Sequence, residues 1–400
     1  MTYPPRIWIG IDIGKEHHHA VVLDEDGTSL VSRRLANRED DILTLLTDAH
    51  QVGQVVTWAV DLANGLSALL LAILLGRGEP VVYLSGIAAN RAAQGYTGAG
   101  KTDARDARII ADQARMRHDL RRLTIRDDTA IELELLTARR SDLVAERTRT
   151  INRMRSLLNS QFPSLDSVLD FRSQGALTLV AGYQSPAAIR ALGPARLERW
   201  LRNRKVRNAA TLAATVHAAA REQTVLVPGH QVAAQLIHDM ATSAQRLTND
   251  VARIDAQIQE RIDTHRLAPI IASMPGFGTL MAAEFLAATD GDMGRYKSPD
   301  HLAAHAGLAP APRDSGKRTG NLHRPRRYDR RLQRVFYTSD LLSIQTSTSS
   351  RTYYDRKRAA GHRHNQAVLA LARRRVNVLW ALLRDQRNYL EPTAAPLEAA

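Results

Sequence analysis

The sequence predicts an α/β N-terminal domain with a mixed sheet, followed by a long helical coiled-coil region and a mainly α-helical C-terminal domain. Up to residue 84, strand-like and helical segments follow one another in the order βββαβαβ. A single run of helical periodicity then extends from Asp127 to about Gln161, and residues 175–263 are mostly helical and Ala-rich with breaks at Pro186, Pro194 and Pro228. The expected boundaries are 1–120, 121–265 and 266–390, with a flexible tail at 391–400.

The N-terminal elements can be assigned from apolar patterning and turn residues. The turn cluster Asp24-Glu25-Asp26-Gly27 is typical of a hairpin between two short strands. The expected strands are Ile7–Ile13, Ala20–Leu23, Thr28–Arg34, Val55–Asp61 and Val81–Leu84, and the expected helices are Arg38–His50, Leu66–Leu75 and Thr102–Met116. Because helices separate the later strands, we expect a mixed sheet covered on both faces.

The composition indicates a folded protein with a polyanionic partner. The chain has 400 residues, with 55 Lys and Arg against 41 Asp and Glu, which gives a formal net charge of +14. Nucleic acid is the commonest partner for such a basic protein. The absence of cysteine excludes thiol catalysis and Cys-ligated metal sites. The longest apolar run, Ala68 to Leu75, is too short to span a bilayer, so we expect an intracellular protein with no membrane partner.

Four carboxylates stand out in the N-terminal domain, where residues 1–62 carry ten acidic and only five basic side chains. Asp12 lies within an apolar strand, whose alternation would place it on the face opposite Ile11 and Ile13. Asp61 ends the strand expected beside it, and Asp103 and Asp106 share one face of a helix. A carboxylate in an apolar strand is costly without a cation or hydrogen bonds. Hard oxygen donors suit Mg²⁺ or Mn²⁺, and two such ions can stabilise a phosphoryl transfer.

Each acid also has an ordinary structural interpretation. Asp12 could cap a turn, Asp61 could cap the following helix, and the helical pair could bind Arg105 and Arg108. Together with the βββαβαβ order, however, the four acids match the ribonuclease-H-like, RuvC-type arrangement. The run His17–His19 does not predict a three-ligand metal site, because neighbouring strand residues point to opposite faces.

Basic side chains lie along the long helix expected between Asp127 and Gln161. Arginines, including Arg139 and Arg147, alternate there with apolar residues at near-helical intervals. The pattern is compatible with a solvated face over a core stripe, or with a coiled-coil arm that also contacts a phosphate backbone. Both interpretations remain open from the sequence.

Two features of the C-terminal domain suggest phosphate contacts. The turn Pro275-Gly276-Phe277-Gly278 precedes a predicted helix at Thr279–Ala288, so amides near Gly276 and Gly278 could hold a phosphate, or the turn could be an ordinary corner. Residues 313–334 contain nine Lys or Arg and two Asp. The candidate nucleic-acid-binding residues in this segment are Arg313, Lys317, Arg318, Arg324, Arg326 and Arg327. Ser315 lies within this segment, and a Ser-Gly pair alone is usually a turn.

Several stretches resemble the insertion-sequence "one-ten" family of transposases, over nearly the whole chain. They are Ile9-Gly10-Ile11-Asp12-Ile13-Gly14-Lys15, Lys101-Thr102-Asp103-Ala104-Arg105-Asp106-Ala107, Pro275-Gly276-Phe277-Gly278, and Gly307-Leu308-Ala309-Pro310 with Ser315-Gly316 and Gly320-Asn321. The resemblance implies a RuvC-like DEDD domain joined to a serine-bearing transposase domain, in a cytoplasmic, nucleoid-associated prokaryotic recombinase.

The resemblance also implies roles for residues and partners. Asp12, Asp61, Asp103 and Asp106 would be the metal-binding acids, and Ser315 the nucleophile that forms a phosphoserine link with DNA. The partners would be double-stranded donor and target DNA, an element-encoded bridge RNA, and further copies of the chain in a dimer or tetramer. The chain departs from the family pattern at Asp61, where Glu is usual, and in the Arg-rich segment 324–327.

Other function classes stay open from the sequence. A metal-only RuvC-type endonuclease or junction resolvase, or a non-catalytic nucleic-acid-binding protein, would have the same fold without needing Ser315. An actin-like or sugar-kinase ATPase also begins with an Ile-Gly-Ile-Asp-Ile-Gly strand, but Glu16-His17-His18-His19 does not supply the phosphate-binding hairpin that such an enzyme needs.

Overall fold

A six-stranded mixed sheet forms the centre of the N-terminal part of the chain. The computed structural model describes residues 5–96, 100, 102–316, 319–323 and 325–391. It divides into two units, Met1–Ile125 and Arg126–Ala400, which are described separately below.

The strands of the first unit are ordered β3-β2-β1-β4-β5-β6. Their bounds are β1 Arg6–Asp12, β2 His17–Leu23, β3 Ser29–Ala36, β4 Val55–Val60, β5 Val81–Tyr83 and β6 Arg121–Arg122. The neighbours β1, β4 and β5 are parallel, whereas β2, β3 and β6 pair antiparallel with their neighbours. The predicted βββαβαβ order and mixed sheet are therefore confirmed, and β6 is an additional edge strand.

Helices cover both faces of this sheet, as predicted. They are α1 Glu39–Val52, α2 Ala68–Gly76, α3 Gly86–Ala93 and α4 Asp103–Met116. On one face, Ile9 and Ile11 of β1 share a core with Leu45 of α1 and Leu70 of α2. On the other face, α4 packs Ala107 and Ala111 against β2, and Ile110 and Ala114 against β4. Strand alternation thus separates two apolar layers.

Gly10 allows α4 to lie unusually close to β1. A Cβ atom at this position would be 2.1 Å from the carbonyl oxygen of Ala107 and 2.3 Å from the amide nitrogen of Ala111. Both clashing atoms belong to helix backbone, which cannot move aside as a flexible side chain can. Only glycine fits, and this contact lets α4 lie close to β1 at Ala107 and Ala111.

The second unit is mainly helical, which confirms the predicted helical C-terminal region. Its helices are α5 Asp128–Gln161, α6 Pro163–Val168, α7 Gln174–Gly182, α8 Pro186–Leu192, α9 Pro194–Asn203, α10 Ala209–Glu222, α11 His230–Thr264, α12 Ala268–Ser273, α13 Thr279–Thr289, α14 Pro299–His305, α15 Arg330–Thr346, α16 Thr348–Ala359 and α17 His364–Arg384. Two short strands, β7 Ala311–Pro312 and β8 Leu322–His323, form an antiparallel pair.

The long helices α5 and α11 run antiparallel along the second unit. Arg140 pairs with Asp255 at 2.5 Å, and Arg261 pairs with Glu132, so the two sequences run in opposite directions. Two apolar cores lie along this pair. One core joins the C-terminal half of α5 to α6–α10. The other joins the N-terminal half of α5 to α12–α15 and α17, and its buried members range from Leu133 to Leu383. The division of residues 121–390 at 265 stays a prediction.

Glu391, the first residue of the expected flexible tail, is held by hydrogen bonds. Glu391 accepts hydrogen bonds from the backbone amide of Ser349 and the hydroxyl of Ser347, both at 2.9 Å through Oε1. A carboxylate at a helix N-terminus is favourable, which explains why Glu391 is held at the start of α16. Residues 392–400 lie outside the described residues. In the part of the chain that is described, no helix has the length and apolar character needed to cross a membrane.

We expect Gly10→Ala to destabilise the first unit, because the added methyl group must push α4 away from β1. Overpacking of this kind costs about 1–3 kcal/mol, and the rigid backbone contacts favour the upper part of that range. Urea unfolding followed by circular dichroism measures the change. The matched control is Gly76→Ala, at a helical glycine with open space around its Cα among the described residues, and it should be neutral. Equal midpoints for both variants would contradict the packing role of Gly10.

Candidate active site

Two strand ends bring Asp12 and Asp61 next to each other. In the parallel pairing of β1 with β4, Ile11 is aligned with Val60, so the residues that follow each of them also lie side by side. Asp12 is half-buried at the end of β1, on the sheet face opposite the buried Ile11 and Ile13. The predicted alternation of side chains at Ile11, Asp12 and Ile13 between the two sheet faces is confirmed. The carboxylates of Asp12 and Asp61 lie at the carboxyl ends of two parallel strands.

Asp61 lies in a poorly solvated environment beside another acid. Burial raises the pKa of its carboxyl, and the negative charge of Asp106 raises it further, while the amide of Ile13 opposes the shift by donating to Oδ1 at 3.4 Å. Asp61 does not cap the following helix, since that helical turn begins after Asn64. The effect of Asp106 shows that α4 brings one of its acids towards the strand ends.

The start of α4 presents Asp103 and Asp106 on its first turn. Thr102 caps the helix by accepting a hydrogen bond from the amide of Arg105 at 3.2 Å. Acidic side chains at this end interact favourably with the helix dipole. The Arg105 guanidinium instead donates to carbonyls of the preceding loop, including that of Tyr96 at 3.2 Å. Across the described chain, neither acid forms an ion pair with Arg105 or Arg108.

The chemistry of this donor set suits a hard divalent cation. Asp12, Asp61 and Asp106 offer oxygen donors only, and the pKa of Asp61 is raised first by burial and then by the charge of Asp106, both of which disfavour its charged form. Among the described residues, no three His, Asp or Glu side chains are gathered closely enough to enclose a metal ion. Mg²⁺ needs only one or two carboxylates and takes its other ligands from phosphate and water. The residues therefore fit an open magnesium site rather than a closed cage.

The three consecutive histidines lie on alternate faces of β2, as the strand pattern of the sequence predicted. His18 is buried on the face of α1 and α2, where burial lowers the pKa of its ring. His17 and His19 lie on the opposite face, bonded to Arg34 and Ser32 respectively at 3.0 Å. His19 is directly opposite Asp12 in the pairing of β1 and β2, a neighbour that the sequence analysis did not identify.

In the second unit, Ser315 lies in an exposed loop that joins β7 to β8. Asn321 closes the base of this loop: its amide donates to Oδ1 of Asp314 at 2.9 Å, and its side chain donates to the Arg313 carbonyl at 3.2 Å. The amide of Arg313 also donates to the carbonyl of Asn321 at 2.9 Å. The Ser315 hydroxyl is thus presented to solvent from a loop whose ends are tied together.

Ser315 is exposed, whereas two other serines of the same unit are buried. Ser339 and Ser343 are fully buried in α15, and Ser343 donates to the carbonyl of Asp340. Thr319 is exposed in the same loop as Ser315. The basic candidates Arg313, Arg326 and Arg327 are also exposed, whereas Lys317, Arg318 and Arg324 lie outside the described residues.

The turn before α13 is held by buried contacts. Gly276 has a positive φ of 79°, and a Cβ atom there would be 2.2 Å from the carbonyl oxygen of Ser339, so the turn packs against α15. Arg375 of α17 donates to the Pro275 carbonyl and, at 2.6 Å, to Oδ1 of Asp340. Burial raises the pKa of Asp340 to about 7 despite this arginine. Gly276 therefore has a packing role that the sequence did not reveal.

The other candidate phosphate contacts lie at helix surfaces. Gly278 is exposed at the N-terminus of α13, with open space around its Cα in the described structure. On α5, Arg139 is exposed and Arg147 is half-buried. These positions leave all three accessible to a phosphate group.

Comparison with known proteins supports a DNA-transposing enzyme. A family model described as a transposase matches residues 9–163, which contain the four acids, and the model described as the transposase IS116/IS110/IS902 family matches residues 268–355, which contain Ser315. The chain is similar to the 42 kDa protein of insertion element IS900 from Mycobacterium paratuberculosis, with 52% identity over 96% of this chain and 97% of that protein. It is also similar to the 44.8 kDa protein of insertion element IS116 from Streptomyces clavuligerus, with 48% identity over 99% and 98%.

A solved structure of T. thermophilus RuvC in complex with a Holliday junction substrate covers 30% of this chain and 99% of its own, at 16% identity and a TM-score of 0.23. The two relatives and the two family matches define a DNA transposase. The chain belongs to the IS116/IS110/IS902 family of transposases.

We expect Asp61→Asn to raise the melting temperature at pH 7.5. A carboxyl whose pKa is raised by folding destabilises the folded state above that pKa, and the penalty disappears below the ordinary value of 3.8. Asparagine removes the charge but keeps an oxygen that can accept from Ile13. The gain should shrink as the pH falls towards 4, in thermal unfolding followed by circular dichroism.

The control for this measurement is Asp26→Asn, which removes a charge from an exposed turn of the same unit. It should show no comparable pH-dependent gain. The same melting-temperature change at pH 7.5 and pH 4, or a loss at pH 7.5, would contradict the raised pKa of Asp61.

Proposed function

We propose that this transposase cuts and rejoins donor and target DNA through Ser315, assisted by a magnesium site on Asp12, Asp61, Asp103 and Asp106, and is guided by an RNA encoded by its insertion element. The observation that carries the proposal is the exposure of the Ser315 hydroxyl in a tied loop beside Arg313. A nucleophile must reach a phosphorus atom, and the buried hydroxyls of Ser339 and Ser343 cannot do so.

The proposed chemical step is a transesterification. The Ser315 oxygen forms a bond to the phosphorus of the scissile phosphodiester, one phosphorus–oxygen ester bond to the sugar breaks, and the released sugar oxygen takes up a proton. The serine proton leaves to a base or to solvent. Because one ester replaces another, the phosphoserine link keeps the energy needed for rejoining to a second DNA end. Arg313 stabilises the charge that develops on the phosphate oxygens.

The acids have a separate role in this proposal. When bound, Mg²⁺ supplies Lewis-acid stabilisation of phosphate oxygens and of the attacking or leaving oxygen. Asp12 and Asp61 would hold it from adjacent strand ends, and Asp103 and Asp106 would do so from α4. The raised pKa of Asp61 supports this assignment, because a bound cation would stabilise the charged carboxylate that burial, and to a smaller extent the charge of Asp106, disfavours.

The partners follow from charge and from the family. Double-stranded DNA is the substrate of a transposase, and the motifs of the insertion-sequence "one-ten" family imply a bridge RNA. The basic residues assigned to these polyanions are Arg139, Arg147, Arg313, Lys317, Arg318, Arg324, Arg326 and Arg327, with the amides near Gly276 and Gly278. Exchange between two duplexes needs several nucleophiles, so we propose that the chain acts as a dimer or tetramer.

Ser315→Ala should abolish a covalent protein–DNA adduct. The wild type, incubated with the element's RNA, end-labelled DNA and Mg²⁺, should give a protease-sensitive retarded band on a denaturing gel, because the serine oxygen becomes linked to phosphorus. Recombination should fall by at least about 10³-fold, as for loss of other covalent nucleophiles. The control is Thr319→Val, which removes an exposed hydroxyl from the same loop.

If the retarded band formed with Ser315→Ala but not with Thr319→Val, the nucleophile would be Thr319 instead of Ser315. Cleavage without any covalent band in the wild type would instead favour the metal-only endonuclease or junction resolvase. Binding without cleavage would favour a non-catalytic nucleic-acid-binding protein.

Cleavage should depend on the acids and on a divalent ion. Asp12→Asn and Asp106→Asn should each lower the cleavage rate by about 10²-fold or more while DNA binding persists, because each removes a charged oxygen donor. Asp61→Glu should retain activity and Asp61→Ala should lose it. The exposed Asp26→Asn serves as the control. Full cleavage by the Asn variants, or by the wild type in excess EDTA, would contradict the magnesium site.

A further inference from the structure

A cluster of cations surrounds one tyrosine on the surface formed by α16 and α17. The Arg356 guanidinium carbon lies 5.1 Å, the Lys357 ammonium nitrogen 5.7 Å and the Arg374 guanidinium carbon 5.2 Å from the centre of the Tyr353 ring. Arg356 and Lys357 follow Tyr353 by three and four residues on α16, and Arg374 approaches from α17. Each distance is within the range of a cation–π interaction.

These three cations lack a compensating acid. Between residues 351 and 374 the chain has seven Lys and Arg but a single carboxylate, Asp355, and that carboxylate pairs with Arg351 at 2.8 Å. Within the described ranges of the chain, no Asp or Glu forms an ion pair with Arg356, Lys357 or Arg374. Three like charges around one ring repel each other, and an anion bound among them would relieve that repulsion.

The helices that carry the cluster are fixed relative to each other. The Tyr354 hydroxyl and Nδ1 of His364 are 2.8 Å apart, and the two rings meet edge to face at 5.8 Å. Arg358 donates to the carbonyl of His362 at 2.9 Å across the connection between the helices. The N-terminus of α16 is capped by Ser347, which accepts from the amide of Ser350 at 3.2 Å. The cations therefore belong to a preorganised surface rather than to a loose chain end.

We infer that Arg356, Lys357 and Arg374, gathered around Tyr353, form a binding site for the phosphodiester backbone of nucleic acid, in addition to the basic segment 313–334. Guanidinium groups match phosphate oxygens bidentately, and the ammonium group adds a point charge. Because the ring of Tyr353 already interacts with cations, it orders them instead of stacking on a base. The contact is therefore to the backbone and independent of base sequence. The inference rests on the proposed action on nucleic acid and deepens it.

The test uses the full chain in which Arg356, Lys357 and Arg374 are all changed to Gln. Fluorescence anisotropy measures binding to a labelled DNA duplex and to a labelled single-stranded RNA of equal length, from about 50 to 200 mM salt. For duplex DNA, affinity at about 100 mM salt should fall by roughly ten-fold or more, and the slope of log affinity against log salt should decrease by about two to three. The same comparison with RNA shows which polyanion engages the surface.

The matched control changes Arg172, Arg202 and Arg253 to Gln, which removes the same net charge from well-exposed positions elsewhere in the second unit. It should bind both probes nearly as the wild type does. Circular dichroism melting checks that each variant is folded. If the two triple variants lose equal affinity, total charge explains the effect and the site is refuted. Equal competition by polyglutamate and by unlabelled DNA at the same charge concentration would instead indicate an acidic protein partner and also overturn it.

Single variants of the tyrosine test its ordering role. Tyr353→Leu removes the aromatic face and should weaken binding by about two- to five-fold, whereas Tyr353→Phe keeps the face and should not. Equal binding by the Leu and Phe variants would exclude an ordering role for the Tyr353 ring. The result is separable from the catalytic proposal. Absence of the covalent adduct in the wild type, with the expected salt dependence of binding, contradicts only that proposal. Unchanged binding by the cluster variant, with a normal adduct in the wild type, contradicts only this site.

Discussion

The acidic site depends on how closely one helix can approach one strand. Because Gly10 has no side chain, backbone atoms of Ala107 and Ala111 occupy the space that a Cβ atom would need. This contact holds α4 close to β1, so that the turn of α4 before Ala107 lies towards the end of the strand. Burial is the larger cause of the raised pKa of Asp61, and the approach of α4 adds the negative charge of Asp106 to it.

In the second unit, one buried arginine connects segments that are distant in sequence. Arg375 of α17 contacts both the carbonyl of Pro275 and the carboxylate of Asp340, and so ties the turn before α13 to α15. Removing two charges from water costs several kcal/mol per ion, which the attraction in the pair must offset. The main effect of such a pair is on the positions of the segments it joins, more than on net stability. Gly276 completes the junction by allowing direct backbone packing.

The sequence predicted those features that depend on local pattern. Apolar alternation in β1 placed Asp12 on the face opposite Ile11, and three-residue spacing placed Asp103 and Asp106 on one turn of α4. Contacts between distant residues could not be predicted this way. The strands that carry the Ser315 loop have two residues each, too few for a periodic signal, and the Asp314–Asn321 bond joins its two ends. Glu391, assigned to a flexible tail, is fixed by Ser347 and Ser349, which no spacing rule connects to it.

Charge is unevenly distributed along the chain, and this affects how a nucleic-acid phosphate would interact with the acids and with the basic surfaces. Acidic side chains outnumber basic ones two to one in residues 1–62, so the excess positive charge of the chain lies beyond them. Basic surfaces raise the local concentration of a polyanion, but a phosphate brought near Asp12, Asp61 and Asp106 would be repelled by them. A divalent cation held by these carboxylates would reverse the sign of that interaction, because hard cations attract phosphate oxygens. In the proposed reaction, the arginines and lysines therefore supply affinity, and Asp12, Asp61 and Asp106 would contribute by holding that cation.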